Sequence, residues 1–145
     1  MAVEREATVV WEGDLKGNGE LSVPTGAIQD TGMTFARRAG EPEGHTSPEE
    51  LIAAAHAGCF AMSFSNVLAR AGNAPDRLEV TANCIVDIGE KGLAITKVEL
   101  TAKGRVPGID AAGFEEAAKK AESTCPVSNA LRNNVEINLS TELEG

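Results

Sequence analysis

The sequence predicts a single-domain α+β fold over residues 1–145. Three observations carry that expectation. One long apolar segment, residues 47–72, has helix signals at both ends. Two stretches around GEKG alternate apolar and polar residues as strands do. Strands and helices follow one another in an order that is not strictly β-α-β.

Taken in order, ATVVWEG suits a first strand, and Gly17–Gly19 suits a hairpin turn into ELSVP. A third extended stretch is expected to end near MTFARR, followed by the Gly- and Pro-rich loop AGEPEGH. The helix SPEELIAAAHAGCFAMSFSNVLARAG comes next. Ser47 is its N-cap, Pro48 fits the first helical position, and Glu50 completes a capping box. Gly72 closes it. Leu51, Ile52, Phe60, Met62, Phe64, Val67, Leu68 and many alanines make this helix apolar nearly all round, the pattern of burial on several sides. In so short a chain, that points to a second subunit covering part of it. LEVTANCIVDIG and AITKVELTAKGRV form a strand pair joined through GEKG. Asp110 caps a helix over DAAGFEEAAKKAES, PVSNALRNN forms a short third helix, and VEINLSTEL closes the chain as a strand. The count is about six strands and three helices.

Composition narrows the function. The net charge is −9, no basic run occurs, and four Phe, one Trp and no Tyr leave little to stack on bases. Nucleic acids and anionic membranes are therefore poor partners. Polar residues interrupt the long helix, which reads as a core helix rather than a membrane span. The opening MAVEREATVVWEG has early acids and no sustained apolar stretch, unlike a signal peptide. Three cysteines, Cys59, Cys84 and Cys125, are too few and too spread for a secreted disulfide scaffold. The cytosol is the expected compartment.

Several residues are candidates for chemistry. Cys59 sits among small and apolar neighbours, where a cysteine is either core filler or a nucleophile kept dry. Cys125 precedes Pro126 and so occupies a helix N-cap, where free N–H groups and the helix dipole favour thiolate. Cys84, on the apolar face of a strand, reads as core. His56 and Cys59 stand on adjacent turns, but no second paired motif completes a zinc set. His56 therefore reads as a helix histidine with a satisfied bond. Glu49 is not used by the capping box. Ten residues of helix rise about 15 Å, so it reaches the Cys59 of an antiparallel second copy rather than its own, or else it is a solvated first-turn glutamate. Arg37 and Arg38 end an extended segment, where they would face opposite sides, so that at most one enters a pocket.

Taken together, WEGDLKG, TSPEELIAAAHAGCFAMSFS, AITKVEL, VPGIDAAGFEEAAKKAE and CPVSNALRNNVEINL resemble the OsmC/Ohr family of thiol-dependent peroxidases, and its OsmC branch most. The resemblance implies an intertwined homodimer, antiparallel curved sheets around long central helices, and two active sites at the interface. It implies reduction of organic hydroperoxides, and to some extent hydrogen peroxide, with no metal, flavin or haem. By position, Cys59 matches the peroxidatic cysteine and Cys125 the resolving one. Glu49 matches the glutamate that orients the catalytic arginine. Arg38 matches that arginine, with Arg37 the alternative, because AGEPEGHT departs from the family's usual loop length. Phe60 and Met62 would then wall the substrate pocket. The implied reductant is an external dithiol, a lipoyl group being one candidate. Two other readings use the same residues: a dimeric binder of lipophilic ligands, and a redox sensor.

Overall fold

The computed structural model describes all 145 residues, in two compact units, residues 1–51 and 52–145. The first unit holds a three-stranded antiparallel sheet in the order β1-β2-β3, with β1 Thr8–Glu12, β2 Asn18–Ser22 and β3 Thr31–Met33. The β1–β2 turn occupies residues 13–17, earlier than the Gly17–Gly19 expected from sequence, because Glu12 pairs with Asn18. Gly17 is needed there: a Cβ would fall 1.9 Å from the Glu12 carbonyl oxygen. Helix α1, Phe35–Ala39, follows β3. This corrects the expected extended segment. Thr34 caps the helix by accepting from the Arg37 N–H at 3.1 Å.

Helix α2 runs from Pro48 to Arg70. Its start follows the expectation in half: the Glu50 N–H donates to Ser47 Oγ at 3.1 Å, but the Glu50 carboxylate accepts from Thr46 Oγ1 at 2.9 Å. Its end is a Schellman motif. Gly72 has φ +88°, its N–H reaches Ala69 O, and the Asn73 N–H reaches Leu68 O.

In the second unit, β4 (Arg77–Gly89) and β5 (Gly92–Arg105) form an antiparallel hairpin closed by Glu90 and Lys91, with a bulge at Ile85/Val86. Helices α3 (Ala111–Thr124) and α4 (Pro126–Leu131) come next, then β6 (Glu136–Leu143). Strand β6 pairs with β5 in parallel, the one departure from the expected antiparallel sheets. The intervening helices supply the crossover that a parallel return requires. The α+β class with six strands stands, with four helices in place of three.

By length and composition α2 is long and apolar enough to cross a membrane. Its stripe Phe60, Phe64 and Leu68 is instead fully buried with Val98, Leu100 and Ala102 of β5 and Phe114, Ala118 and Ala121 of α3. The Phe64 and Phe114 ring centroids are 4.9 Å apart. Each Phe, Leu or Val among them contributes about 1.5–3 kcal/mol by leaving water. The burial is one-sided. His56, Phe60, Phe64 and Leu68 recur every fourth residue on the buried face, while Ala54, Ala55, Gly58 and Met62 are exposed.

Candidate active site

Two pairs of chemically capable side chains form, one in each unit. In the first, α1 projects Arg38 onto the first turn of α2. Arg38 Nε donates to both carboxylate oxygens of Glu49 at 3.1 Å, and its Nη2 donates to Oε1 at 2.6 Å. Glu49 is 6% exposed. The bonds from Arg38 hold the Glu49 carboxyl below the usual carboxylate range, against burial, and raise the Arg38 guanidinium in turn. Both groups are therefore charged, and the fork locks the guanidinium plane.

Arg37 points elsewhere, to Glu43 at 2.7 Å on the exposed side of the loop. The two arginines do separate, but by successive positions on a helix rather than by opposite faces of a strand. Arg38 also lines an apolar cavity of about 240 Å³ with Trp11, Leu15, Met33, Thr34, Phe35 and Pro48. The walls expected from Phe60 and Met62 are not of this kind: Phe60 is fully buried in the core and Met62 is 72% exposed.

In the second unit, Cys59 lies midway along α2 and Cys125 is the N-cap of α4. The chain brings them together across 66 residues, with Cys125 Sγ and Cys59 Sγ 3.3 Å apart. Cys125 is fully buried and Cys59 partly exposed. Contrary to the sequence expectation, the Cys125 side chain makes no cap hydrogen bond. The α4 amide that meets a sulfur is that of Val127, and it donates to Cys59. Burial pushes the Cys59 thiol up, the Val127 N–H opposes this, and the Cys125 contact adds to the rise. Cys84 stands on β4 opposite Val98 and packs on the core, as expected.

One further contact escaped the sequence reading. His56 Nε2 lies 2.7 Å from Ser128 Oγ, across 72 residues, with both residues at 0% exposure. The available signal was a lone polar residue at the head of the stripe that continues through Phe60, Phe64 and Leu68. His56 Nδ1 is buried without a partner, so the ring is only half satisfied. No group of three or more His, Cys, Asp or Glu side chains is arranged to hold a metal ion. A separate cavity of about 800 Å³ beside Arg70, Ile109 and Lys120 contains neither cysteine of the pair.

Comparison with known proteins gives a consistent picture. Residues 40–140 match the family model described as OsmC-like protein. The chain is 41% identical over 145 residues to peroxiredoxin OsmC of Escherichia coli, covering 99% of each. It is 35% identical over 112 residues to the organic hydroperoxide resistance protein OhrA of Bacillus subtilis, covering 76% of this chain and 77% of that one. Among solved structures, an organic hydroperoxide resistance protein from Elizabethkingia anophelis superposes with a TM-score of 0.80 at 24% identity, over 99% of both chains. At that identity the last match speaks for the fold alone.

Proposed function

We propose that this chain, which belongs to the OsmC-like protein family, reduces organic hydroperoxides with Cys59 as nucleophile and Cys125 as its resolving partner. The observation that carries the reading is the 3.3 Å separation of the two sulfurs. Attack of the Cys59 thiolate on the terminal peroxide oxygen breaks the O–O bond, leaving Cys59 as sulfenic acid and releasing an alkoxide that is protonated to the alcohol. The Cys125 sulfur then attacks the Cys59 sulfur, the S–O bond breaks, and hydroxide leaves with the thiol proton as water. An external dithiol, of which a lipoyl group is one candidate, reduces the disulfide by exchange and is itself oxidised to a disulfide. The chemistry calls on no metal, flavin or haem. Its setting is the cytosol, where reductant pools keep thiols reduced.

A free thiol is only a few per cent ionised at neutral pH, and burial moves Cys59 further the wrong way. The charge to correct this is Arg38, oriented by Glu49, acting on the thiolate and the bound peroxide. Because ten residues of helix rise about 15 Å, the Arg38–Glu49 pair of one copy serves Cys59 of another in a homodimer. The apolar cavity beside Arg38 suits an alkyl or acyl peroxide. Trp11 and Met62, exposed at 38% and 72%, are surfaces for the second copy to cover.

One equivalent of cumene hydroperoxide per chain, followed by thiol counting and peptide mapping, tests the reading. A Cys59–Cys125 disulfide that added dithiol reverses, with continuing peroxide loss, is expected. Thiols that stay reduced would overturn it and turn attention to lipophilic ligands in the cavity. Oxidation in a single turnover that no dithiol reverses would instead favour a redox sensor.

A further inference from the structure

We infer that His56 and Ser128 form a positioning pair that holds the start of α4 against α2, and so sets the approach of Cys125 to Cys59 for disulfide closure. This rests on the peroxidase reading above. His56 is one turn before Cys59 on α2, and Ser128 is one turn after Cys125 on α4. Their 2.7 Å contact therefore joins the two turns that carry the two sulfurs. At its other end α4 is tied to α3, where Arg132 donates to the Glu122 carboxylate at 2.9 Å and to its carbonyl at 3.1 Å. The six-residue helix is thus held at both ends, and the His56 end is the one beside the sulfurs.

Both members are buried, and the rest of the α2 stripe is phenylalanine and leucine. Apolar residues of similar size would fill this space without leaving a ring nitrogen unpartnered. A polar bond at this place supplies direction instead. Closure needs the sulfurs to move from 3.3 Å to a bond of about 2.05 Å, so the register of α4 on α2 decides how often the sulfenic acid meets its partner. Burial keeps the His56 imidazole neutral, with Glu122 the one charge acting the other way.

The test separates the two chemical steps in one experiment. Ser128→Ala and His56→Leu break the bond, while His56→Gln keeps an amide near the Nε2 position. Stopped-flow oxidation by cumene hydroperoxide reads the first step. Dimedone trapping of the Cys59 sulfenic acid and mass detection of the disulfide read the second. The breaking variants should oxidise Cys59 at the wild-type rate and close the disulfide about tenfold more slowly, as small misplacements of reacting groups do. They should also accumulate dimedone adduct, with His56→Gln falling between them and wild type. Equal slowing of both steps, unchanged closure, or His56→Gln behaving as His56→Leu would overturn the inference. So would loss of the folded state in both breaking variants by circular dichroism, because the pair would then serve stability alone. If the wild-type protein itself forms no disulfide, the peroxidase reading fails, and the inference with it.

Discussion

At the scale of single residues, the roles divide by charge and by access. Cys59→Ser should abolish peroxide turnover, and Cys125→Ser should leave a Cys59 sulfenic acid that dimedone traps; a Cys59→Ser protein with full activity would end the assignment. Arg38→Met should lower kcat/KM by about 10²–10³-fold, the effect of removing one preorganised donor. It should also raise the pH at which Cys59 reacts with iodoacetamide, because burial and the Cys125 contact, which raise the thiol, would then be opposed by the Val127 N–H alone. Unchanged alkylation profiles would remove Arg38 from the site. Glu49 carries a pH signature of its own. Its folded pKa is depressed by Arg38, so its contribution to stability is present above the ordinary carboxylate value of about 4.3 and is lost as pH falls through the folded value. Glu49→Gln should flatten that acid limb in urea unfolding below about pH 4.3, the ordinary carboxylate value.

At the scale of elements, the helix ends and close approaches decide. Asp110 caps α3 by accepting from the Gly113 N–H at 2.7 Å, so Asp110→Ala should cost about 1 kcal/mol in denaturant unfolding and Asp110→Asn much less. Gly104 lies where a Cβ would sit 2.7 Å from the Phe114 ring and 2.9 Å from Leu78. Gly104→Ala should therefore destabilise the second unit by about 1–3 kcal/mol as the core yields around it. The ends of α2 and α3 were readable because Ser47, Pro48, Gly72 and Asp110 are local signals acting over one turn. Helix α1 was not. Five residues, FARRA, are too few to show a helical period, and Met33 and Thr34 before them continue the pattern of a strand. The parallel β5–β6 pairing was equally silent, because alternation along VEINLSTEL tells which face is apolar but not which neighbour it joins.

At the scale of the molecule, the question is whether the site belongs to one chain or two. If Arg38 of one copy serves Cys59 of the other, Arg38→Met and Cys59→Ser proteins are each inactive alone. Refolded together they should regain about a quarter of wild-type activity, because half the two-fold dimers are mixed and each holds one complete site. No recovery, with mixed dimers verified by mass, would confine the site to one chain. Equilibrium sedimentation should find dimers at micromolar concentration. A stable folded monomer there would also count against shared sites.

The sequence by itself determined the α+β class, the capped helix bearing Cys59, the N-cap position of Cys125 and the family resemblance, because these are written in spacing and local chemistry. It also nominated Arg38 and Glu49, but by resemblance, and with a strand argument that the helix α1 replaces. Only the tertiary structure decided that Arg38, not Arg37, clasps Glu49, that the Val127 amide faces Cys59, and that His56 meets Ser128. The physical reason is range. A cap or a periodic stripe acts within a few residues, whereas contacts across 66 and 72 residues exist only once the core has brought α4 onto α2.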